Sequence, residues 1–264
     1  MGRETELCNR LGRTPEERLL LRRVLDQSMG AVRKCEPCRT PFLTPRECAL
    51  AKQLIAALGH PAHRFEGGYP EAERQVCLFL PDWLEPEDVL PEPYGLAALR
   101  AVWYEGDTLG HRDILGALMG LGIRRETVGD LLVSQHSCDI LLLPEILPYL
   151  RENFTQAGRV KLKCSEIPLP ELSVPPIAKK LLHGTVSSLR LDAVLAAMLH
   201  CSRGQASELI EAGRVEINHL PADKPHAQVY EGDVFTVRGK GRFNLTALPG
   251  KSRKDRSIIE FFQY

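Results

Sequence analysis

A long cation, two hydroxyls and an amide side chain crowd one short stretch of this 264-residue chain, Ser202-Arg203-Gly204-Gln205-Ala206-Ser207. Arg190 precedes it, and Arg214, Lys224, Arg238, Lys240 and Arg242 follow. Such a set pairs no nucleophile with a general base, so its chemistry is recognition rather than bond making. Cations and neutral donors beside a helix start suit a phosphate, because the unpaired N–H groups there point outward along the helix dipole. The rest of the chain carries no nucleophile–base set and no glycine-rich phosphate loop with its lysine.

Local elements must hold those residues in place. Ser202 is a helix N-cap, and Gln205 three residues on completes a capping box. Ala206, Leu209 and Ile210 give that helix one narrow apolar face, and Gly213 suits the left-handed residue that ends it. Arg214-Val215-Glu216-Ile217 reads as a strand. Ser188 is placed to cap an earlier helix, whose Leu191, Val194, Leu195, Met198 and Leu199 keep the helical period. Asn218-His219-Leu220-Pro221 reads as a turn, Val234 to Arg238 as a strand, and Lys240-Gly241-Arg242 as the close of the unit.

These residues carry a resemblance. Arg190-Leu191-Asp192, Ser202 to Ala206, the run from Ile210 through Ala212-Gly213-Arg214-Val215 to Asn218, and Gly232-Asp233-Val234 resemble the RNA-binding domain named after ribosomal protein S4, the α-L motif. The resemblance covers less than a quarter of the chain. It implies RNA contact by Arg190, Ser202, Arg203, Gln205, Ser207, Arg214, Lys224, Arg238, Lys240 and Arg242. RNA duplexes hide their major groove, so such a face reads phosphates, 2′-hydroxyls and shape.

Other candidate chemistry is weaker. His111-Arg112-Asp113 is similar to the catalytic loop of protein kinases, but the downstream Asn, the glycine loop and the Asp-Phe-Gly partner are missing. His111 and Arg112 read instead as a helix start available to RNA, and Arg124-Arg125 after Gly122 as a phosphate-binding turn. Cys35-Glu36-Pro37-Cys38, with Cys48, His60 and His63, has ligand types for zinc but lacks a second Cys-x-x-Cys pair, so no metal or other cofactor is expected. Arg190-Leu191-Asp192 is similar to the segment around the catalytic aspartate of pseudouridine synthases, yet too little chain follows for that catalytic domain. Gly250-Lys251-Ser252-Arg253-Lys254 reads as part of a basic tail over 251–264.

Ahead of that unit, two segments precede two proline-marked linkers. Thr14-Pro15-Glu16-Glu17 and Thr44-Pro45-Arg46-Glu47 are capping boxes that open helices, and Arg64–Glu66 and Gln75–Leu80 read as short strands. Residues 1–92 are therefore expected to be a small α/β module, ending in a linker with Pro81, Pro86, Pro91 and Pro93. From Leu96 the order reads strand (to Tyr104), helix (His111–Leu121), strands (Leu131–Gln135 and Cys138–Leu143), helix (Pro144–Ala157) and strand (Val160–Glu166). That β-α-β-β-α-β order predicts a ferredoxin-like domain over 93–172, followed by the S4-type domain over 180–250. Cys138 to Leu143 lacks an aromatic, which argues against base stacking on this sheet.

Phe42-Leu43-Thr44-Pro45-Arg46-Glu47, Phe65-Glu66-Gly67-Gly68-Tyr69 with Glu73-Arg74, and Gly110-His111-Arg112-Asp113 continuing through Leu115-Gly116, Gly120-Leu121-Gly122 and Arg124-Arg125 to Gly129-Asp130 extend the resemblance to nearly the whole chain. In matching order they resemble the YlmH-like family of bacterial RNA-binding proteins. That likeness implies association with the large ribosomal subunit, binding to structured RNA there, rRNA or tRNA, and a part in rescue of stalled translation or in a cell-division gene neighbourhood.

Composition sets outer bounds. Net charge is zero, but Lys179 onward holds 13 Lys+Arg against 9 Asp+Glu, and the first 178 residues 21 against 25. A basic segment on a mildly acidic body suits a polyanion. Apolar runs are too short for a membrane span, and the acidic start is no secretory signal. The eight cysteines read as reduced thiols in a cytoplasmic protein. The expectation is an α+β, monomeric, non-catalytic binder of structured RNA. Its alternatives are an RNA-modifying enzyme with chemistry in residues 1–178, and a cell-division scaffold.

Overall fold

Both Thr-Pro-x-Glu sequences open helices with complete capping boxes: α2 (Pro15–Lys34) on Thr14 and Glu17, and α3 (Pro45–Ala57) on Thr44 and Glu47. Each box satisfies two helix-start amides that would otherwise lack partners. The computed structural model describes residues 3–85, 95–176, 180–252 and 255–264. The chain divides into Met1–Pro175 and Pro176–Tyr264. Pro86, Pro91 and Pro93 of the first expected linker, with Lys179, Arg253 and Lys254, lie outside the described residues.

In the first unit a helix that periodicity does not reveal, α1 (Arg3–Leu11), packs with α2 and α3. Strands β1 (Cys38–Arg39), β2 (His63–Glu66) and β3 (Val76–Phe79) form an antiparallel sheet in the order β1-β3-β2. The expected α/β module is thus α+β in detail: its strands pair antiparallel beside segregated helices rather than alternating in parallel crossovers.

The second half of this unit has four strands, β4 (Ala97–Val102), β5 (Val128–Val133), β6 (Ser137–Leu142) and β9 (Lys163–Ile167). They form an antiparallel sheet in the order β5-β6-β4-β9. Helices α4 (His111–Gly120) and α5 (Leu147–Asn153) contribute Ile114, Leu118, Leu147 and Leu150 to a core on Leu99, Ala101, Ile140 and Leu142. The helix expected over Pro144–Ala157 is shorter than the sequence suggests. Pro144–Ile146 form a 3-10 turn, Pro148 sits in the first turn of α5, and the helix ends at Asn153. A hairpin of β7 (Gln156–Ala157) and β8 (Val160–Lys161) then precedes β9.

The opposite face of this sheet is also covered. Ala98, Leu141, Leu143 and Ile167 pack with Phe42, Val76 and Leu169, and the partly buried Tyr69 and Leu172 close the cluster. At its border the buried Asp139 takes both arms of Arg100, at 2.6 and 2.7 Å, and the amide of Ser173 at 2.7 Å. Trp103 is buried on the helix side, leaving Tyr104 as the exposed aromatic of the pair.

The second unit is built on a six-stranded antiparallel sheet, ordered β10-β15-β14-β13-β11-β12. The strands are β10 (Lys180–Val186), β11 (Val215–Ile217), β12 (Leu220–Pro221), β13 (Val234–Val237), β14 (Gly241–Lys251) and β15 (Ser257–Gln263). Helices α6 (Leu191–Met198) and α7 (Arg203–Glu211) complete it. Asn218 and His219 both have positive φ, 49° and 66°, in the two-residue turn between β11 and β12. That pairing matches the twist of a tight hairpin.

Three expectations change here. Lys240-Gly241-Arg242 does not close the unit; it leads into β14, the longest strand. Nor is 251–264 a tail, since β15 lies between β10 and β14 and buries Ile259 and Phe261. Ser188 does not cap α6 either: the N-cap is Arg190, with no side-chain cap. Backbone bonds pin that helix start instead, Leu191 N to Ala227 O and Asp192 N to Pro225 O, both 2.9 Å.

Candidate nucleic-acid interface

The first turn of α7 is built as its sequence dictates. The Ser202 amide donates to Gln205 Oε1 at 3.0 Å, and the Gln205 amide donates back to Ser202 Oγ at 3.2 Å. Gly213 has φ 65° just after the helix. With the capping box engaged, the amides of Arg203 and Gly204 face outward with no partner among the described residues. Ser207, one turn along, is half-buried.

Arg190 and Arg203 come from the starts of two different helices and meet on one carboxylate. Asp192 accepts from Arg190 Nε at 3.2 Å and Nη2 at 2.9 Å, and from Arg203 Nη2 at 2.8 Å. It also accepts the Ala193 amide at 2.8 Å. The Asp192 side chain is 6% exposed, while those of Arg190 and Arg203 are 44% and 49% exposed. The arginines are therefore anchored at one edge and open to solvent at the other, and two cations on one anion leave the cluster positive. Burial pushes the Asp192 carboxyl up, but hydrogen bonds from Arg203 and Arg190 outweigh it and hold the group below the ordinary aspartate value. Lys224 is exposed on the turn that supplies the Pro225 carbonyl to the Asp192 amide.

A second group lies around a shallow groove of about 390 Å³ lined by Gln205, Glu208, Leu209, Arg214 and Lys240. Arg214 Nη2 donates to the Arg238 carbonyl at 3.1 Å, and the Arg238 amide donates to the Arg214 carbonyl at 2.9 Å. This exchange fixes the β13–β14 turn beside α7, with Arg238 and Lys240 exposed upon it. Gln205 joins the two groups, since it caps α7 and lines the groove. Arg242 sits elsewhere, on β14, with Nη2 3.3 Å from His219 Nε2 and its guanidinium 5.5 Å from the Tyr264 ring centre. Asp192, absent from the contacts the sequence suggested, holds two of those cations.

In the first unit the four predicted contacts divide. His111 and Arg112 are exposed in the first turn of α4, with no side-chain partner among the described residues. The Gly110 amide donates to Asp113 there, at 2.8 Å. Arg124 is exposed and pairs with Glu126 at 3.0 Å. Arg125 turns inward: its Nη1 donates to the carbonyls of Val128 and Gly129. Burial lowers its pKa, and neighbouring Arg74 lowers it further. Arg125 is accordingly a structural residue and not half of a phosphate-binding turn. Arg74 does similar work, donating to Val128 O at 3.1 Å and Phe42 O at 3.2 Å. Asp130 takes the Tyr69 hydroxyl at 2.9 Å and the Glu73 amide at 2.7 Å. Residues quoted above for family resemblance therefore join the three-stranded sheet to the four-stranded one.

A larger groove, about 530 Å³, lies in the first unit between α2, residues 40–44 and residues 124–126. Of its three carboxylates, Glu47 caps α3 and Glu126 pairs with Arg124 and with Arg23 at 3.8 Å, while Glu16 lies in the first turn of α2. No His or Cys lines it. Burial pushes the Cys48 and Cys164 thiols up to about 11 and that of Cys138 to about 12. Cys35 is exposed, Cys38 is buried, and His63 contacts the Pro61 carbonyl at 2.8 Å. Among the described residues no group of three or more His, Cys, Asp or Glu is placed to hold a metal, and no helix is long and apolar enough to cross a membrane.

Comparison with known proteins agrees with this layout. Residues 16–81 match the family described as "YlmH, N-terminal", residues 104–171 "Putative RNA-binding domain in YlmH", and residues 189–235 "S4 domain". A protein of Bacillus subtilis (strain 168) named "Ribosome-associated protein quality control protein P2" is 33% identical over 223 residues, covering 84% of this chain and 85% of that one. The solved structure "Cell division protein ylmH from Streptococcus pneumoniae" aligns with TM-score 0.51 and 25% identity, over 61% of this chain and 96% of that one. With the N-terminal, middle and S4 segments matched in order, and the Bacillus relative aligned across most of its length, this chain belongs to the YlmH family and carries an S4 domain at its C-terminal end.

Proposed function

We propose that this protein is a non-catalytic binder of structured RNA, acting in the cytoplasm on the large ribosomal subunit in quality control of stalled translation. The observation that carries the reading is the pair of half-exposed guanidiniums, Arg190 at the start of α6 and Arg203 at the start of α7, held on the one Asp192 carboxylate. Fixed guanidiniums next to open helix-start amides match the planar, bidentate demand of a phosphodiester. Arg214, Arg238, Lys240 and Lys224 extend the contact, while His111, Arg112 and Arg124 offer a separate one on the first unit. The named role of the Bacillus relative in ribosome-associated quality control supports the ribosomal setting. A monomer suffices for such a face, with rRNA or a tRNA-bearing complex as its partner.

We further assign residues 93–172 to the ferredoxin-like class, since the strand order β5-β6-β4-β9 is that of a split β-α-β pair. Both faces of that sheet carry a buried apolar cluster, so its RNA contacts belong to helix starts and loops rather than to stacked bases. Catalysis in residues 1–178 is disfavoured by the larger groove, which has no His or Cys in its lining and two of whose carboxylates are already capped or ion-paired.

Filter binding of the full chain to purified large-subunit ribosomal RNA tests the proposal. Charge reversal, Arg203→Glu, should weaken binding while the fold is kept; unchanged affinity in a folded variant removes the reading. The name of the Streptococcus structure favours a cell-division scaffold as the second reading. Ribonuclease treatment during pull-down separates the two, because a protein scaffold keeps its partners when RNA is destroyed.

A further inference from the structure

We propose that Asp192 is the positioning residue of the phosphate-contact face: its carboxylate fixes Arg190 and Arg203 at one separation, so that a single phosphodiester group is gripped by both. This deepens the RNA-binding reading above and rests on it.

An acid in the middle of a polyanion-binding face is costly unless it organises the cations around it, because it repels the ligand they attract. Asp192 is placed to organise them. Its two oxygens take four donors: Arg190 twice, Arg203 once and the Ala193 amide once. The backbone beneath it is pinned by Asp192 N to Pro225 O and Leu191 N to Ala227 O. A carboxylate held in this way cannot follow either arginine, so each arginine must come to it. Both guanidiniums keep their solvent edge, since the two side chains remain nearly half exposed. Long flexible side chains lose conformational freedom when they clamp a ligand, and holding them beforehand removes much of that loss from binding. The carboxylate is thus more useful to RNA binding than its charge is harmful.

Charge and positioning predict opposite signs, which makes the inference testable. Asp192→Asn removes one negative charge, so long-range electrostatics alone should tighten binding to RNA. Positioning predicts the reverse. In filter binding of the full chain to purified large-subunit ribosomal RNA at fixed salt, Asp192→Asn should weaken affinity roughly ten-fold, the scale of coupling within one hydrogen-bond network. The same substitution in an Arg190→Ala/Arg203→Ala background should change affinity by less than about two-fold, because nothing remains to be positioned. Asp192→Glu keeps the charge but displaces the carboxylate, and should also weaken binding, which covers the case in which the Asn variant folds poorly. Hydrogen exchange of α6 and α7 amides in the assay samples checks that the unit is folded.

Affinity equal to or tighter than wild type for folded Asp192→Asn overturns the inference. So does an equal loss in both backgrounds, which would make Asp192 a structural staple between helices. If Arg190→Ala/Arg203→Ala itself binds like wild type, the phosphate-face reading falls, and this inference with it. If that double variant is weakened and Asp192→Asn is not, only the inference falls.

Discussion

A buried carboxylate between two guanidiniums ties stability to pH as well as to position. Arg203 and Arg190 hold the folded-state pKa of Asp192 below its unfolded value, so its contribution is present above the unfolded pKa. It is lost as pH falls through the depressed folded value, that is, below the ordinary aspartate range. Urea unfolding of the second unit at stepped pH should show a decline there that Asp192→Asn removes; identical pH dependence for the two proteins would assign the decline to other groups. The thiols make a second residue-scale test. Cys48 and Cys138 are buried with raised pKa values, whereas Cys35 is exposed. Brief alkylation at neutral pH followed by peptide mass analysis should find Cys35 modified first. At this scale legibility depended on distance along the chain. The Ser202–Gln205 box joins residues three positions apart and is read directly. Asp192 serves Arg203 across two helices, and no local pattern announces that. Arg124 and Arg125 look alike as letters, yet one faces solvent and the other packs against the carbonyls of Val128 and Gly129.

Elements are held by a few close contacts that periodicity cannot display. Gly129 lies in β5 where an added Cβ would stand 2.6 Å from the Phe42 ring and 3.0 Å from Leu141. Phe42 is itself buried among Val76 and Leu141, so the ring has nowhere to retreat. Gly129→Ala should destabilise the first unit by about 1–3 kcal/mol, the usual cost of overpacking, which a shift in urea midpoint would register. The strand β15 teaches the complementary lesson. Its Ile259 and Phe261 are fully buried between β10 and β14, each contributing roughly 1.5–3 kcal/mol of burial. Removing Ser257–Tyr264 should abolish exchange protection of α6 and α7, and retained protection would show that the sheet core closes without β15. Periodicity does not display this strand, because the cations before it suggest solvent. Charge reports what faces water, not which strand pairs. The β-α-β-β-α-β order, by contrast, was legible, since each element there carries its own period and its own turn.

Across the whole molecule, neutrality conceals a separation of charge. The excess of 13 Lys+Arg over 9 Asp+Glu from Lys179 onward offsets the opposite imbalance in the first 178 residues. A protein with zero net charge gains little from indiscriminate attraction to RNA, so affinity must come from cations concentrated where phosphates sit. Arg190, Arg203, Arg214 and Lys240 are the set that the second unit fixes around the α7 start and its groove. If about four phosphates are neutralised there, log K should fall against log salt with a slope of roughly −3 to −4, through release of condensed counterions. Arg203→Glu should flatten that slope by about one unit while leaving the protein folded. A slope near zero for the wild-type chain would mean that shape or protein contacts, and not phosphates, hold the complex. A steep slope unaltered by Arg203→Glu would move the phosphate contacts to other cations, with His111 and Arg112 at the α4 start the next pair to substitute.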